Sequence, residues 1–297
     1  MFGTWAIGGG MWGPTDDEQA IGAMRRAFDL GVTAYDTADA YGWGHAEELV
    51  GEALRGRRDE VFIATKLGIT RKGINLSPDY FVKACDASLK RLGTDHVDLY
   101  QIHWPDDPNT PLEEAWESMC RLQDQGKVRS IGVSNFDAAQ LDLCEKIRHV
   151  DSVQNEYSMF VRDAEDAVIP WCEANGTAFL SYGSLAYGLL TGKFDEKTTF
   201  PRSDWRSGSM GMDYYDQLFK PRAFKRNLKR VERLKEIASG LDITIAQLAI
   251  AWILRHEAVA SAIAGARRPD QIEETAAAGD VTLDAPTIAA IEDALAA

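Results

Sequence analysis

Short apolar runs alternate along this chain with longer stretches whose apolar residues recur every three or four positions. The runs "GTWAIG", "TAYDTA", "VFIATK", "VDLYQIH", "KVRSIGVS", "DSVQNEY", "TAFLSYG" and "AVASAIAG" predict strands. Between them, Asp17–Leu30, Ala46–Arg55, Pro78–Leu92, Leu112–Gln125, Ala138–Ile147, Ala164–Ala174 and Lys225–Arg255 carry the helical period. Pro269–Ala277 and a final helix, Ala285–Ala296, follow the last strand. Strand and helix in strict alternation require a parallel sheet, because parallel neighbours need a crossover. Eight such units in about 250 residues predict a closed (β/α)8 TIM barrel, a single α/β domain over residues 1–297.

The punctuation supports these boundaries. Thr15 and Glu18 have capping-box spacing, and Pro78 and Pro269 suit helix starts. Gly31, Gly93, Gly126 and Gly176 each follow a helix, where a left-handed cap is wanted. One segment breaks the rhythm. The long loop Thr191–Phe224, after strand seven, predicts a lid or substrate wall.

Composition narrows the function classes. The chain has 297 residues, 45% of them hydrophobic, and no apolar run long enough to span a bilayer. A net charge of −14 argues against nucleic acid and anionic membranes as partners. The basic stretch "KPRAFKRNLKR" reads as a solvated helix face. Cys85, Cys120, Cys144 and Cys172 lack metal-ligand spacing and read as reduced thiols in a cytoplasmic protein, without a signal peptide. No metal site is expected, and the sequence leaves the oligomeric state open.

Gly8, Gly10 and Gly13 form a G-x-G-x-x-G match, yet all three precede the first helix, which opens with Asp16, Asp17 and Glu18. That turn would repel a pyrophosphate, so the match is read as a flexible loop at the barrel mouth, with Trp12 as a pocket wall. Better candidates close the strands. Asp36, Lys66 and His103 sit at strand ends, and Tyr41 lies just beyond strand two. Singly, each has an ordinary reading as a cap, a solvent-seeking ammonium or a core imidazole. Together, they suit proton delivery to a carbonyl oxygen. The ammonium is expected to lower the phenol pKa, the carboxylate to hold the ammonium, and the imidazole to orient the substrate. Hydride must then come from a nicotinamide.

At these residues the chain resembles the aldo-keto reductases. "YDTADAYGWGHAEELVG", "KLG", "LYQIHWPD", "GKVRSIGVSNF", "VQNEYS", "GLLTGKF" and "GARRPDQIEE" follow the family's order along nearly the whole length. The resemblance implies a tetrad of Asp36, Tyr41, Lys66 and His103, with Tyr41 as general acid in reduction and base in oxidation. It implies a nicotinamide held by Ser134, Asn135 and Gln154 and stacked on Tyr182. Thr4 and Trp5 would adjoin it, and Ser184, Leu185, Gly188 and Leu190 would line the pyrophosphate path. Gly265, Ala266, Arg267, Gln271 and Glu274 would surround the adenosine end. Arg267 is expected to bind a 2′-phosphate, favouring NADP over NAD. Departures are Ala46, Gly183, Ser184 and Thr275; the hairpin that usually underlies the barrel is not in this sequence, so either the barrel base is open or translation begins upstream of Met1.

Candidate substrate walls are Trp12, Trp43, Trp104 and Trp205, with Trp5, Tyr214 and Tyr215, which suit a small carbonyl compound or sugar. Two rivals remain open: a Schiff-base aldolase using Lys66, and a redox-sensing binding protein with negligible turnover.

Overall fold

The computed structural model describes residues 1–212 and 214–296. Its elements are β1 (Phe2–Gly3), α1 (Asp17–Asp29), β2 (Ala34–Asp36), α2 (His45–Ala53) and β3 (Phe62–Leu67). A hairpin follows, β4 (Ile69–Thr70) with β5 (Gly73–Ile74), then α3 (Pro78–Leu92), β6 (Val97–Ile102) and α4 (Leu112–Asp124). Next come β7 (Val128–Ser134), α5 (Ala138–Glu145), β8 (Ser152–Glu156), α6 (Val168–Asn175) and β9 (Ala178–Tyr182). The chain ends with α7 (Tyr214–Leu218), α8 (Pro221–Gly240), α9 (Ile245–Ile253), β10 (Val259–Ala262), β11 (Ala264–Gly265), α10 (Pro269–Ala276) and α11 (Ala285–Ala296).

The sheet order is β10-β9-β8-β7-β6-β3-β2-β1-β11, parallel throughout. Because Ile263 alone separates β10 from β11, these two pieces act as one strand that bonds β9 on one side and β1 on the other. The eight-membered barrel expected from the sequence is therefore closed. Ala64, Leu99, Leu180 and Ile263 form a small buried cluster of their own, against which Met1 and Tyr182 pack. Strand alternation then turns Lys66, Gln101 and Tyr182, two residues farther along their strands, to the same interior face. The apolar floor thus carries a polar layer on top of it.

Four details differ from the sequence reading. The first strand is only Phe2–Gly3, because Trp5–Ile7 turns into a 3-10 helix. Helix α1 is capped by Asp16, whose carboxylate accepts from the Gln19 amide at 3.1 Å, rather than by Thr15. The stretch Lys225–Arg255 is two helices, α8 and α9, which meet at 91° across the turn before Thr244, the cap of α9. The long loop is built, too, containing a 3-10 turn at Trp205–Ser207 and the short α7.

The glycine-rich segment is pinned rather than loose. The Gly13 amide donates to Ser203 O at 3.1 Å, and the Trp205 amide to Met11 O at 3.0 Å. Trp12 and Asp204 form an isolated antiparallel bridge, so this segment and the long loop close one side of the barrel mouth together. Among the described residues no single helix is long and apolar enough to cross a membrane, and no cluster of His, Cys, Asp or Glu suits a metal.

Helix packing around the barrel gives a paired test. A Cβ on Gly51 would lie 2.7 Å from Leu92 O and 2.8 Å from Arg91 O, main-chain atoms that have nowhere to go. A Cβ on Gly22, inside α1, meets nothing closer than 3.6 Å. Gly51→Ala should cost about 1–3 kcal/mol in urea unfolding. Gly22→Ala should be neutral or stabilise by up to about 1 kcal/mol. Equal effects would contradict the tight seat of α2 on α3.

Candidate active site

At the carboxyl ends of the strands lies a cavity of about 580 Å3. Its floor begins with an ion pair. Lys66 is wholly buried, and its Nζ donates to Asp36 Oδ1 at 2.7 Å, to Thr37 O at 2.9 Å and to the Tyr41 hydroxyl at 3.4 Å. Asp36 Oδ1 also accepts from Gln154 Nε2 at 2.8 Å. Sheet register makes this arrangement possible. Asp36 is level with Ala64 in the neighbouring strand, and Lys66, one alternation farther up, points to the same side.

Tyr41 reaches the ammonium from a 3-10 turn, Tyr41–Gly44, in which Gly42 has φ of 60°. Here glycine is obligatory. A Cβ at Gly42 would fall 2.1 Å from Gly8 O, so the turn and the glycine-rich segment touch main chain to main chain. His103 follows β6, and its ring stands edge-on to Tyr41 with centroids 5.7 Å apart. Its Nδ1 is buried without a protein partner among the described residues.

The electrostatics overturn one expectation. The neighbouring ammonium alone would lower the Tyr41 pKa, but burial and the Asp36 carboxylate push it well above the usual phenol value. Burial likewise holds the Lys66 ammonium below its usual value, opposed by Asp36, and keeps His103 well below 6.5, aided by Lys66. The site at rest is therefore a protonated phenol beside a neutral imidazole. That is the state from which a proton can be given to a carbonyl oxygen.

A second carboxyl, overlooked in the sequence, stands behind this group. Asp39 donates its amide to Lys66 O at 3.1 Å and accepts at Oδ2 from the Tyr80 hydroxyl at 3.1 Å. Burial and Glu47 push its pKa up to about 7. Its signal was present in "DTADAY", but one acid three residues past another reads naturally as a loop cap.

Ser134, Asn135, Gln154 and Tyr182 all line the cavity, and they bond to one another and to their strands. Ser134 Oγ donates to Gln154 O at 2.7 Å, and the Tyr182 hydroxyl donates to Asn135 Oδ1 at 2.7 Å. Asn135 Nδ2 donates to His103 O at 2.9 Å. Trp5, Ser184, Leu185, Gly188, Gly265, Arg267, Gln271 and Glu274 also line it, as do Trp12, Trp43 and Trp104.

Five expected contacts, the core-packed Tyr215 of α7 among them, are not on the wall. Thr4 is buried beneath it. Leu190 packs into the core beside Leu189, on the far side of a 3-10 helix that presents Gly188 and Thr191 instead. Ala266 lies between Gly265 and Arg267 and turns its methyl to the core. Trp205 is fully buried. It stacks under Trp5 at 6.3 Å and meets Tyr187 edge-on at 4.9 Å, so it braces the wall from behind. Sequence reading missed Met11, Ile69, Tyr187, Lys193, Arg206 and Met212, which do line the cavity. Only the fold brings these loops together.

The cavity lining mixes two chemistries. Trp5 stacks on Tyr41 with ring centroids 6.4 Å apart, and Trp43, Ile69 and Trp104 add apolar surface. Lys193, Arg206, Arg267 and Arg268 are its cations, with the Arg206 guanidinium 4.9 Å from the Trp12 ring centroid. Lys193 pairs with Glu274 at 3.1 Å, joining the loop after β9 to α10. Arg206 pairs with Asp204 at 2.6 Å, and Arg268 with Asp270 at 3.1 Å. Arg267 donates to Trp12 O at 3.3 Å and to Pro14 O, and its amide donates to Gln271 Oε1 at 2.7 Å.

Comparison with known proteins identifies the fold and the family. The chain is 42% identical over 279 residues to aldo-keto reductase YhdN of Bacillus subtilis, covering 92% of this chain and 82% of that protein. The structure of a glycerol dehydrogenase from Gluconobacter oxydans superposes with a TM-score of 0.89 at 34% identity, covering 99% of this chain and 90% of that one. An aldo/keto reductase from Klebsiella pneumoniae, solved with NADP and acetate, gives a TM-score of 0.75 at 30% identity, covering 98% and 89%. The Aldo/keto reductase family profile spans residues 1–296, and this chain belongs to that family.

Proposed function

We propose that the protein is an NADP-dependent oxidoreductase that interconverts a small carbonyl compound (an aldehyde, ketone or sugar) and its alcohol. The observation that carries this reading is the Asp36–Lys66–Tyr41 chain of contacts ending beside a neutral His103 at the floor of the cavity. A phenol kept protonated has a proton to give, and the neighbouring Lys66 ammonium offsets the cost of leaving a phenolate behind. The same observation disfavours a Schiff-base lysine, since the Lys66 ammonium is fully enclosed and is not part of the cavity wall.

The residues fit the cofactor. Trp12 Nε1 and His103 Nδ1 are buried and have no partner among the described residues, and both belong to cavity-lining residues. The cavity-lining cations suit phosphates, and Arg267 spends only part of a five-donor guanidinium on Trp12 O and Pro14 O. Ser134, Asn135 and Gln154 would hold the carboxamide, with Tyr182 against the ring. When bound, the reduced nicotinamide supplies a hydride to the carbonyl carbon.

The chain's own groups do the rest. Tyr41 gives its proton to the carbonyl oxygen as negative charge develops there. Lys66, 3.4 Å from that hydroxyl, stabilises the phenolate left behind, and Asp36 keeps the ammonium charged and in place. Neutral His103 orients the same oxygen. In oxidation Tyr41 takes the proton back. The four thiols, Cys85, Cys120, Cys144 and Cys172, are buried and unpaired, which suits a cytoplasmic protein. The overall negative charge suits neither nucleic acid nor membrane as a partner.

A panel of aldehydes, ketones and sugars followed at 340 nm with each reduced nicotinamide tests the reading; NADPH consumption by a carbonyl supports it, and none by any member overturns it. Arg267→Ala should raise KM for NADPH about tenfold or more while moving that for NADH little; equal losses would refute the 2′-phosphate assignment.

The pH profile is a second test. Tyr41 sits above 10 and His103 below 6.5, so neither changes state between those values. Asp39, at about 7, is a titrating group beside Lys66, and its negative charge opposes loss of the Tyr41 proton. Reductive kcat should therefore fall about two- to threefold as pH rises through 7. Asp39→Asn should flatten that step. An unchanged step would assign it elsewhere, with Glu156, also at about 7, next in line.

A further inference from the structure

We propose that Arg71 selects substrate, by holding a carboxylate at the end of the molecule remote from the reacting carbonyl. The inference deepens the carbonyl-reduction reading above and rests on it. It begins with Trp43, two residues past the proton donor. Trp43 has φ of 57°, a left-handed conformation costly for a bulky side chain, between Gly42 at 60° and Gly44 at 102°. Its indole is 50% exposed, yet it also lines the cavity. A large apolar ring held in a strained turn and left half in water calls for a ligand contact to account for it.

Arg71 covers that indole. It sits in the turn between β4 and β5, with its guanidinium carbon 4.9 Å from the ring centroid. The turn is rigid: Thr70 Oγ1 donates to Gly73 O at 2.7 Å and accepts from the Lys72 amide at 3.2 Å. Ile69, at the base of the hairpin, lines the same cavity. Stacking fixes the plane of the guanidinium and leaves its edge donors to solvent.

What sets Arg71 apart is its lack of a partner. Lys193, Arg206 and Arg268 each pair with a carboxylate, and Arg267 bonds main-chain carbonyls. Arg71 has no hydrogen bond or ion pair among the described residues. Arg71 is exposed and does not itself line the cavity; it reaches it through Trp43, and the cations that do line it are already engaged. An anionic tail lying along Trp43 would therefore meet a free guanidinium outside the wall. In a chain of net charge −14, a cation beside Trp43 also offsets the repulsion of an anionic substrate. The substrate class this fits has a carbonyl at one end, a flat apolar middle to lie along Trp43 and Trp104, and a carboxylate at the other.

The test compares 4-carboxybenzaldehyde with its uncharged methyl ester, using NADPH and the wild-type, Arg71→Ala and Arg71→Lys proteins. Arg71→Ala should raise KM for the acid about five- to tenfold, with kcat, KM for the ester and KM for NADPH within about twofold. Arg71→Lys should recover part of the loss, and added salt should shrink the wild-type preference. An acid KM that does not move, or acid and ester moving together, overturns the assignment. A binding arm makes the result independent of turnover. Quenching of tryptophan fluorescence by 4-carboxybenzyl alcohol should weaken about fivefold or more in Arg71→Ala; equal affinities overturn the role of Arg71. Failure of every carbonyl to consume NADPH would instead overturn the carbonyl reading, with the binding comparison still deciding Arg71.

Discussion

An ammonium with no exposure to solvent is the constraint around which the rest is arranged. Leaving Lys66 charged inside the barrel without partners would cost several kcal/mol, and removing one member of such a pair typically costs about 3–5 kcal/mol. The fold meets that cost with Asp36, Thr37 O and Tyr41, all from the end of the neighbouring strand β2 and the turn after it, and steadies Asp36 with Gln154 from across the barrel. Because the partners are fixed by strand register, the hydroxyl of Tyr41 has one place to be. The pair therefore serves position first and stability second.

Around this group the cavity combines aromatic surface with paired cations. Trp5 stacks on Tyr41, and Trp205 and Phe219 support it from the core. Three of the lining cations are held in check by Glu274, Asp204 and Asp270. The glycine-rich segment contributes to both. It carries Met11 and Trp12 on the wall, is stitched to the long loop, and gives its carbonyls to Arg267. Gly8 serves close main-chain approach against the Tyr41 turn, where a Cβ would fall 2.8 Å from Tyr41 C.

Much of this was legible in the sequence, for reasons that differ from part to part. The barrel followed from alternating periods, and the tetrad from polar residues closing otherwise apolar strands, since alternation and strand ends are local properties. Side-chain direction within loops was not local. Leu190, Ala266 and Trp205 sit in the right segments but face the core, and Thr4 lies beneath the wall. Nor was the sign of the Tyr41 shift legible, because desolvation depends on every atom packed around the phenol and outweighs the one nearby ammonium. Asp39, Arg206 and Met212 reach the site only through tertiary contact. Family resemblance supplied the cofactor roles that the residues alone left open.

The central claim is that Tyr41 is a proton donor set in place by Lys66. Single-turnover hydride transfer in Tyr41→Phe tests it most directly, with NADPH binding read in parallel by tryptophan quenching. The account predicts unaltered quenching and a transfer rate lower by about two to four orders of magnitude. A transfer rate within about threefold of the wild type, with the same cofactor affinity, would contradict it.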